Sequence, residues 1–262
     1  MTPREAPLIQ IQGESPYAIR SPHMWNDKDR TKPVWGLVVH TSGGGLPSKA
    51  RKHGIYPSVA AANYYQKSHG THYVMGWRGV DGDLIQVANE RERAHGVGTK
   101  EMRAAVKAGD WTRGVPPAFV RRWRALWSAS GAKSPLELYP GTWANNVYVH
   151  VEMPPCRFDY QHKLVTGQFR DGSEATPRDR GLRFTQAQHD GIVLLALDLA
   201  KRHNWADESD HWWETGHLVG HEDLSPQTRT TKSGGWDPGF HRSAPYFDFK
   251  YVRHEIAAMS KT

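Results

Sequence analysis

Short apolar runs bounded by turn-forming residues are the first recurring pattern along the chain. The run from Val34 to Ser42 is rich in β-branched residues and lies between Pro33 and three consecutive glycines, which predicts a buried central strand. Two further runs, at 71–77 and 82–88, are separated by residues typical of turns. This spacing predicts a β-hairpin.

A stricter alternation of apolar and polar positions follows from Asn145 to Met153. Residues two apart in a strand lie on the same face, so the alternating valines form one side of a predicted strand. Glu152 and His150 therefore share its other face. The intervening stretch, 97–145, includes a candidate helix at 119–127, in which tryptophans and arginines fall on different sides.

Helical periodicity is clearest in the second half of the chain. Thr185 and Gln188 have the spacing of a capping box, and apolar residues recur at helical intervals after them, which predicts a helix over 186–203. A final amphipathic helix is predicted from Tyr246 to Met259, and an alanine-rich pattern predicts a short helix over 58–68.

Strands interleaved with helices, without a repeat or a linker, predict an α/β fold. We expect one domain at 31–262, in which helices flank a central mixed β-sheet and some connections carry insertions. Residues 1–30 are polar and contain prolines, and we interpret them as an N-terminal extension.

Composition restricts the class of protein further. With 38% hydrophobic residues and eleven tryptophans, the chain is expected to pack a core, and no run is long enough to predict a transmembrane helix. The start of the chain lacks the pattern of a signal peptide, so synthesis in the cytoplasm is expected. A single cysteine excludes an internal disulfide bond. The net charge of +7 favours anionic partners, including nucleic acid, acidic glycans and a bacterial envelope.

Three side chains at the ends of short apolar runs or beside a proline could form a metal site. His40 ends the first apolar run, His221 follows another short run, and Asp237 precedes a proline that favours an extended backbone. A catalytic zinc site needs three such ligands and one position left for water. With fifteen histidines in the chain, any single one is more often a surface or core residue.

Six segments, taken in order, resemble the zinc-dependent N-acetylmuramoyl-L-alanine amidases, the family shared by phage lysozyme-type amidases and peptidoglycan-recognition proteins. They cover most of residues 34–240, and their order is more specific than any one of them. In sequence order the segments are LVVHTS, GTHYVM, GVDGDLIQVANERERAHGVG, VYVHVEM, GHEDLSP and WDPG.

The resemblance implies that 31–262 is an amidase catalytic domain. It implies that His40, His221 and Asp237 bind one Zn²⁺ ion and that Glu152 is the general base. The expected reaction is hydrolysis of the amide between N-acetylmuramic acid and L-alanine in peptidoglycan. His95 matches a family histidine near the cleft and is expected to contact substrate.

Two positions depart from the family pattern. Gly235 stands where the family commonly has a lysine or threonine that stabilises the oxyanion, so Arg229 or Lys232 could take this catalytic role from the long segment before Asp237. The alternative is a solvated basic loop. His150 stands where the family often has glycine, and it is interpreted as structural.

Other functions account for less of the sequence pattern than the amidase hypothesis does. A catalytically inactive peptidoglycan-binding protein of the same fold is the main alternative. A nucleic-acid-binding module leaves the His, Glu and Asp pattern unexplained. The spacing of His217 and His221 matches a zincin helix, but Leu218 replaces the required glutamate.

An amidase without a signal peptide suits a phage endolysin or an injected antibacterial toxin. Either would act on the cell wall after release or injection, and a toxin would have an immunity partner.

Overall fold

The computed structural model describes the chain in several stretches that together contain the sheet and its principal helices. Those stretches are residues 12–25, 27–41, 58, 62, 70–97, 104–105, 107–110, 112, 115, 117, 120–121, 124, 144–154, 184–225, 237–238 and 247–261.

A six-stranded mixed sheet forms the centre of the protein. Its strands are β1 (Ile19–Arg20), β2 (Gly36–Thr41), β3 (Tyr73–Met75), β4 (Leu84–Gln86), β5 (Tyr148–Met153) and β6 (Leu218–Gly220). Their spatial order is β1-β4-β3-β5-β2-β6. Among these six described strands, β3 and β4 pair antiparallel, as the hairpin that the sequence predicts, and the other neighbouring pairs are parallel.

Helices complete the described architecture. They are α1 (Ala144–Val147), α2 (Gln186–Arg202), α3 (Trp205–Glu208), the 3₁₀ helix η1 (Trp212–Glu214), α4 (His221–Leu224) and α5 (Phe249–Met259). No helix in the described stretches is both long enough and apolar enough to cross a membrane.

The main core lies between one face of the sheet and helices α2 and α5. Alternate residues of β2 and β5, including Val39 and Val151, point into it, where they meet Leu195 and Leu199 of α2 and Ile256 of α5. The opposite face packs on a smaller apolar cluster that includes Trp25 and Val74. Residues of the same strands therefore alternate between two different environments.

Helix α2 begins as the sequence predicts. Thr185 and Gln188 form a reciprocal capping box, which satisfies backbone groups that the first turn would leave without a partner. Gly191 allows the helix to lie close to β3, because a Cβ at this position would come within 2.7 Å of the sulfur of Met75. The mixed sheet flanked by helices confirms the predicted α/β fold.

Some boundaries differ from the predictions. The strand expected from Asn145 begins only at Tyr148, because the residues before it form the single helical turn α1. The last helix begins at Phe249, where Asp248 caps its first turn. Most of the predicted helices at 58–68 and 119–127 lies outside the described residues.

The described part of the predicted N-terminal extension lies against the sheet. β1 pairs with β4, and the side chain of Trp25 is buried and donates a hydrogen bond to the backbone oxygen of Thr71. Whether residues 1–30 are separable from the domain stays a prediction.

A partly buried ion pair joins the end of α2 to the segment that follows β4. Arg202 donates two hydrogen bonds to the Glu90 carboxylate, at 2.6 and 2.8 Å, and His203 lies 3.0 Å from the same group. Tyr73 of β3 also donates to it. Burial alone would raise the pKa of Glu90, but these partners lower it to about 2.

Glu90→Gln is expected to destabilise the protein in a pH-dependent way. The lowered pKa means that the carboxylate stabilises the fold above its unfolded-state value of 4.5, and that this contribution disappears as the pH falls towards 2. The free energy of unfolding should differ by roughly 3 kcal/mol between wild type and variant at pH 7, by roughly 1 kcal/mol near pH 2.5, and by progressively less as the pH falls through 2. Urea denaturation at several pH values measures this, and a difference that stays constant would contradict it.

Candidate metal centre

Three parallel strands bring the candidate site together at their carboxyl ends. β2 lies between β5 and β6, and His40, the penultimate residue of β2, is paired in register with Glu152 of β5. His221 follows β6 directly as the first residue of α4. Because neighbouring parallel strands end at the same edge of the sheet, residues far apart in sequence become adjacent there.

Three buried side chains converge at this edge. Nδ1 of His40 lies 3.0 Å from Nδ1 of His221, and the latter lies 2.8 Å from Oδ2 of Asp237. The distance from Nδ1 of His40 to the same carboxylate oxygen is 3.8 Å. The predicted ligand residues thus form one compact group of two nitrogens and one oxygen.

These distances fit a small divalent ion bound between the three atoms. With metal–ligand bonds near 2.0–2.1 Å, the ligand atoms of a tetrahedral site lie about 3.3 Å apart. The three observed separations fall on both sides of this value. Two neutral imidazoles and one carboxylate leave a divalent ion with a net positive charge and one coordination position for a further ligand.

The Asp237 carboxylate is fixed by the strand that carries His40. The backbone N–H of Thr41 donates to Oδ1 of Asp237 at 2.6 Å, which leaves Oδ2 directed at the histidines. The backbone oxygen of Asp237 accepts a further hydrogen bond from the N–H of Glu222 at 2.9 Å. Burial would raise the pKa of Asp237, but His221 and His40 hold it well below its usual range.

Glu152 lies beside this group on the same face of the sheet. Its register with His40 places the two residues opposite each other on adjacent strands, whose backbones lie about 4.8 Å apart. The side chain is largely buried, with 6% of the residue exposed. A carboxylate in this position can accept a proton from a molecule held beside His40.

A row of buried histidines continues from the site into the sheet. His150 stands two residues before Glu152 on β5, and its Nδ1 lies 3.0 Å from Nε2 of His40. His72 follows, with Nδ1 accepting a hydrogen bond from the backbone N–H of His150. Burial lowers the pKa of His72 to about 3 and that of His150 well below its ordinary value, with neighbouring positive charge adding to both effects. Both rings are therefore neutral.

His150, which the sequence analysis interprets as structural, also contacts the predicted ligand His40. The sequence did indicate that His150 lies near the site, since the strand alternation placed it on the same face as Glu152. The alternation could not show that β2 pairs with β5 in the register that brings His40 to the same place.

The other predicted site residues lie elsewhere or outside the described residues. His95 is half exposed, and its Nε2 forms a close hydrogen-bonding contact with Asp27; its contact with substrate stays a prediction. Arg229 and Lys232 lie in a stretch that the structure does not describe. The zincin helix is excluded, because Leu218–Gly220 is a strand. His217 contacts the backbone oxygen of Trp35 instead.

The geometry predicts that the protein binds one divalent metal ion and that Asp237→Asn weakens this binding at least tenfold. The substitution removes the only negative charge among the three proposed ligands. Competition titration with a chromogenic chelator measures the affinity. His217→Asn is the matched control, because it alters a buried histidine outside the group. Equal affinities of wild type and Asp237→Asn would contradict the assignment.

Comparisons with known proteins find solved structures that are similar to this chain at low sequence identity. No protein-family model matches the chain, and no curated protein matches it in sequence. An N-acetylmuramoyl-L-alanine amidase endolysin from Clostridium intestinale is similar at 12% identity and a TM-score of 0.43, covering 93% of this chain and 97% of that one. An endolysin from a bacteriophage of Thermus scotoductus is 13% identical, with a TM-score of 0.36 and coverages of 87% and 88%. AmpD of Citrobacter freundii is 14% identical, with a TM-score of 0.38 and a coverage of 94% of each chain.

Proposed function

We propose that this protein is a zinc-dependent N-acetylmuramoyl-L-alanine amidase, which hydrolyses the amide between the lactyl group of N-acetylmuramic acid and L-alanine in peptidoglycan. The observation that carries the proposal is the convergence of His40, His221 and Asp237 beside Glu152. The sequence segments that resemble the amidase family contain these four residues in the family's order.

The donor set favours zinc as the metal. Imidazole nitrogens with one carboxylate oxygen are typical ligands of catalytic zinc, and the set contains no thiolate. Calcium and magnesium prefer sites built from oxygen atoms alone. The three side chains are buried, which limits competition from bulk water at the ligand atoms.

Each residue then has a role that its position allows. His40, His221 and Asp237 would hold the zinc ion, which would act as a Lewis acid and lower the pKa of a water molecule towards about 7. Glu152 accepts the proton of the attacking water and delivers it to the leaving amine of L-alanine. His40, His221 and Asp237 fix the position of the reacting groups relative to Glu152.

Stabilisation of the oxyanion is assigned to the segment before Asp237. Arg229 and Lys232 are the two proposed donors, because each could place a positive charge near the reacting carbonyl. His95 is the proposed substrate contact. Its side chain is half exposed, which leaves a face of the ring accessible to a ligand while Nε2 lies against Asp27.

The charge of the chain suits this substrate. Stem peptides of peptidoglycan carry carboxylates, and a net charge of +7 attracts such a polymer at low ionic strength. We propose that the enzyme acts on the cell wall either as a phage endolysin or as an injected antibacterial toxin. A toxin would require an immunity protein in the cell that produces it.

Glu152→Gln should lower kcat by about 10²- to 10⁴-fold, because it removes the general base while keeping the size of the side chain. Zinc affinity should change by less than about threefold, since Glu152 is not a proposed ligand. Digestion of purified sacculi, followed by mass analysis of the soluble fragments, measures the reaction. Glu214→Gln, which changes an exposed glutamate of η1, is the matched control.

Wild-type enzyme should release stem peptides from intact glycan strands, and a chelator should abolish the release. Glycan cleavage, or cleavage between peptide residues, would show a different hydrolase. Zinc-loaded protein that binds muropeptides without cleaving them would establish the binding-only alternative.

A further inference from the structure

We propose that His150 is a positioning residue of the metal centre, which accepts a hydrogen bond from Nε2–H of His40 and so fixes the tautomer that leaves Nδ1 of His40 for the metal. The inference rests on the proposed function only in requiring a metal ion at this site. It does not depend on which bond the enzyme cleaves.

The contact between the two rings is a hydrogen bond rather than a packing contact. Nε2 of His40 and Nδ1 of His150 are 3.0 Å apart, which is a hydrogen-bonding distance and too short for two stacked ring faces. The ring planes differ by only 15°. A ring N–H and a ring lone pair both lie in the plane of their rings, so nearly parallel planes allow them to align.

The positions of the protons follow from the ligand geometry. Nδ1 of His40 is the atom that faces His221 and Asp237, so a neutral His40 that binds a metal there carries its proton on Nε2. That proton is directed at Nδ1 of His150, which must then be unprotonated. Nε2 of His150 has no hydrogen-bond partner within the described stretches, so no competing hydrogen bond there sets the tautomer of this ring.

The backbone and neighbours hold His150 in this position. Its N–H donates to Nδ1 of His72 at 3.0 Å, and its backbone oxygen accepts from the N–H of His72 and the hydroxyl of Thr71. Gly96 leaves the space beside the ring, because a Cβ there would lie 2.7 Å from Nδ1 of His150. The residue is fully buried. The acceptor is therefore present before any metal binds.

A fixed acceptor changes metal binding in two ways. It removes the competing tautomer of His40, in which Nδ1 carries the proton, and it increases the basicity of the coordinating nitrogen. Loss of such an outer partner typically weakens metal affinity about 10- to 100-fold.

The test compares two substitutions of His150 in the full chain. His150→Leu removes the hydrogen-bond acceptor and puts an apolar side chain in its place. His150→Asn instead places its amide oxygen near the position of Nδ1. Zinc affinity from chelator competition should fall about 10- to 100-fold in His150→Leu and stay within about threefold of wild type in His150→Asn. His189→Leu, which changes a buried histidine of α2 on the other face of the sheet, is the control and should also stay within about threefold.

Imidazole ¹⁵N NMR of the zinc-loaded wild type gives a readout that does not depend on the variants. It should show His40 protonated at Nε2 and His150 unprotonated at Nδ1. This measurement decides the matter if His150→Leu does not fold.

Three results would overturn the inference while the proposed function stands. They are unchanged zinc affinity in a folded His150→Leu, equal losses in the Leu and Asn variants, and a proton on Nδ1 of His150 in the zinc-loaded protein. Failure of the wild type to bind zinc is a different result, because it would remove the metal centre and the proposed function together with this inference.

Discussion

Parallel pairing of β2 with both of its neighbours is the interaction on which the site depends. Because the strands run in the same direction, their carboxyl ends meet, and His40 comes to lie between Glu152 on one side and His221 on the other. The apolar residues of the same strands pack against α2 and α5 on the opposite face. The burial that stabilises the sheet thus also fixes the spacing of the polar side chains.

The second constraint is that burial of these polar groups requires partners for them. Asp237 receives a backbone hydrogen bond from Thr41 and faces two imidazoles, so a charge that would be costly in the interior is compensated on both sides. The histidines continue this arrangement inward through His150 and His72. The site is therefore connected to the sheet by hydrogen bonds on both sides.

Alternation and capping patterns predicted much of the fold because they depend on local chemistry. The period of two around Glu152, the apolar run before His40 and the capping box at Thr185 each reflect interactions within a few residues. The residues at which strands and helices begin were less predictable. The helical turn before Tyr148 occupies residues whose alternation is typical of a strand, so tertiary packing, rather than local preference, decided where β5 begins.

The sequence by itself determined which residue types were available: histidines and an aspartate next to strand ends, a glutamate on an alternating strand, and no thiolate set. Only the tertiary structure decided which of fifteen histidines meet, since His40 and His221 are separated by 181 positions. It also selected Nδ1 of both rings to face the carboxylate and placed His150 against the remaining nitrogen of His40. The reason is that coordination depends on distances of a few ångströms, and strand register sets those distances between segments that have no local influence on one another.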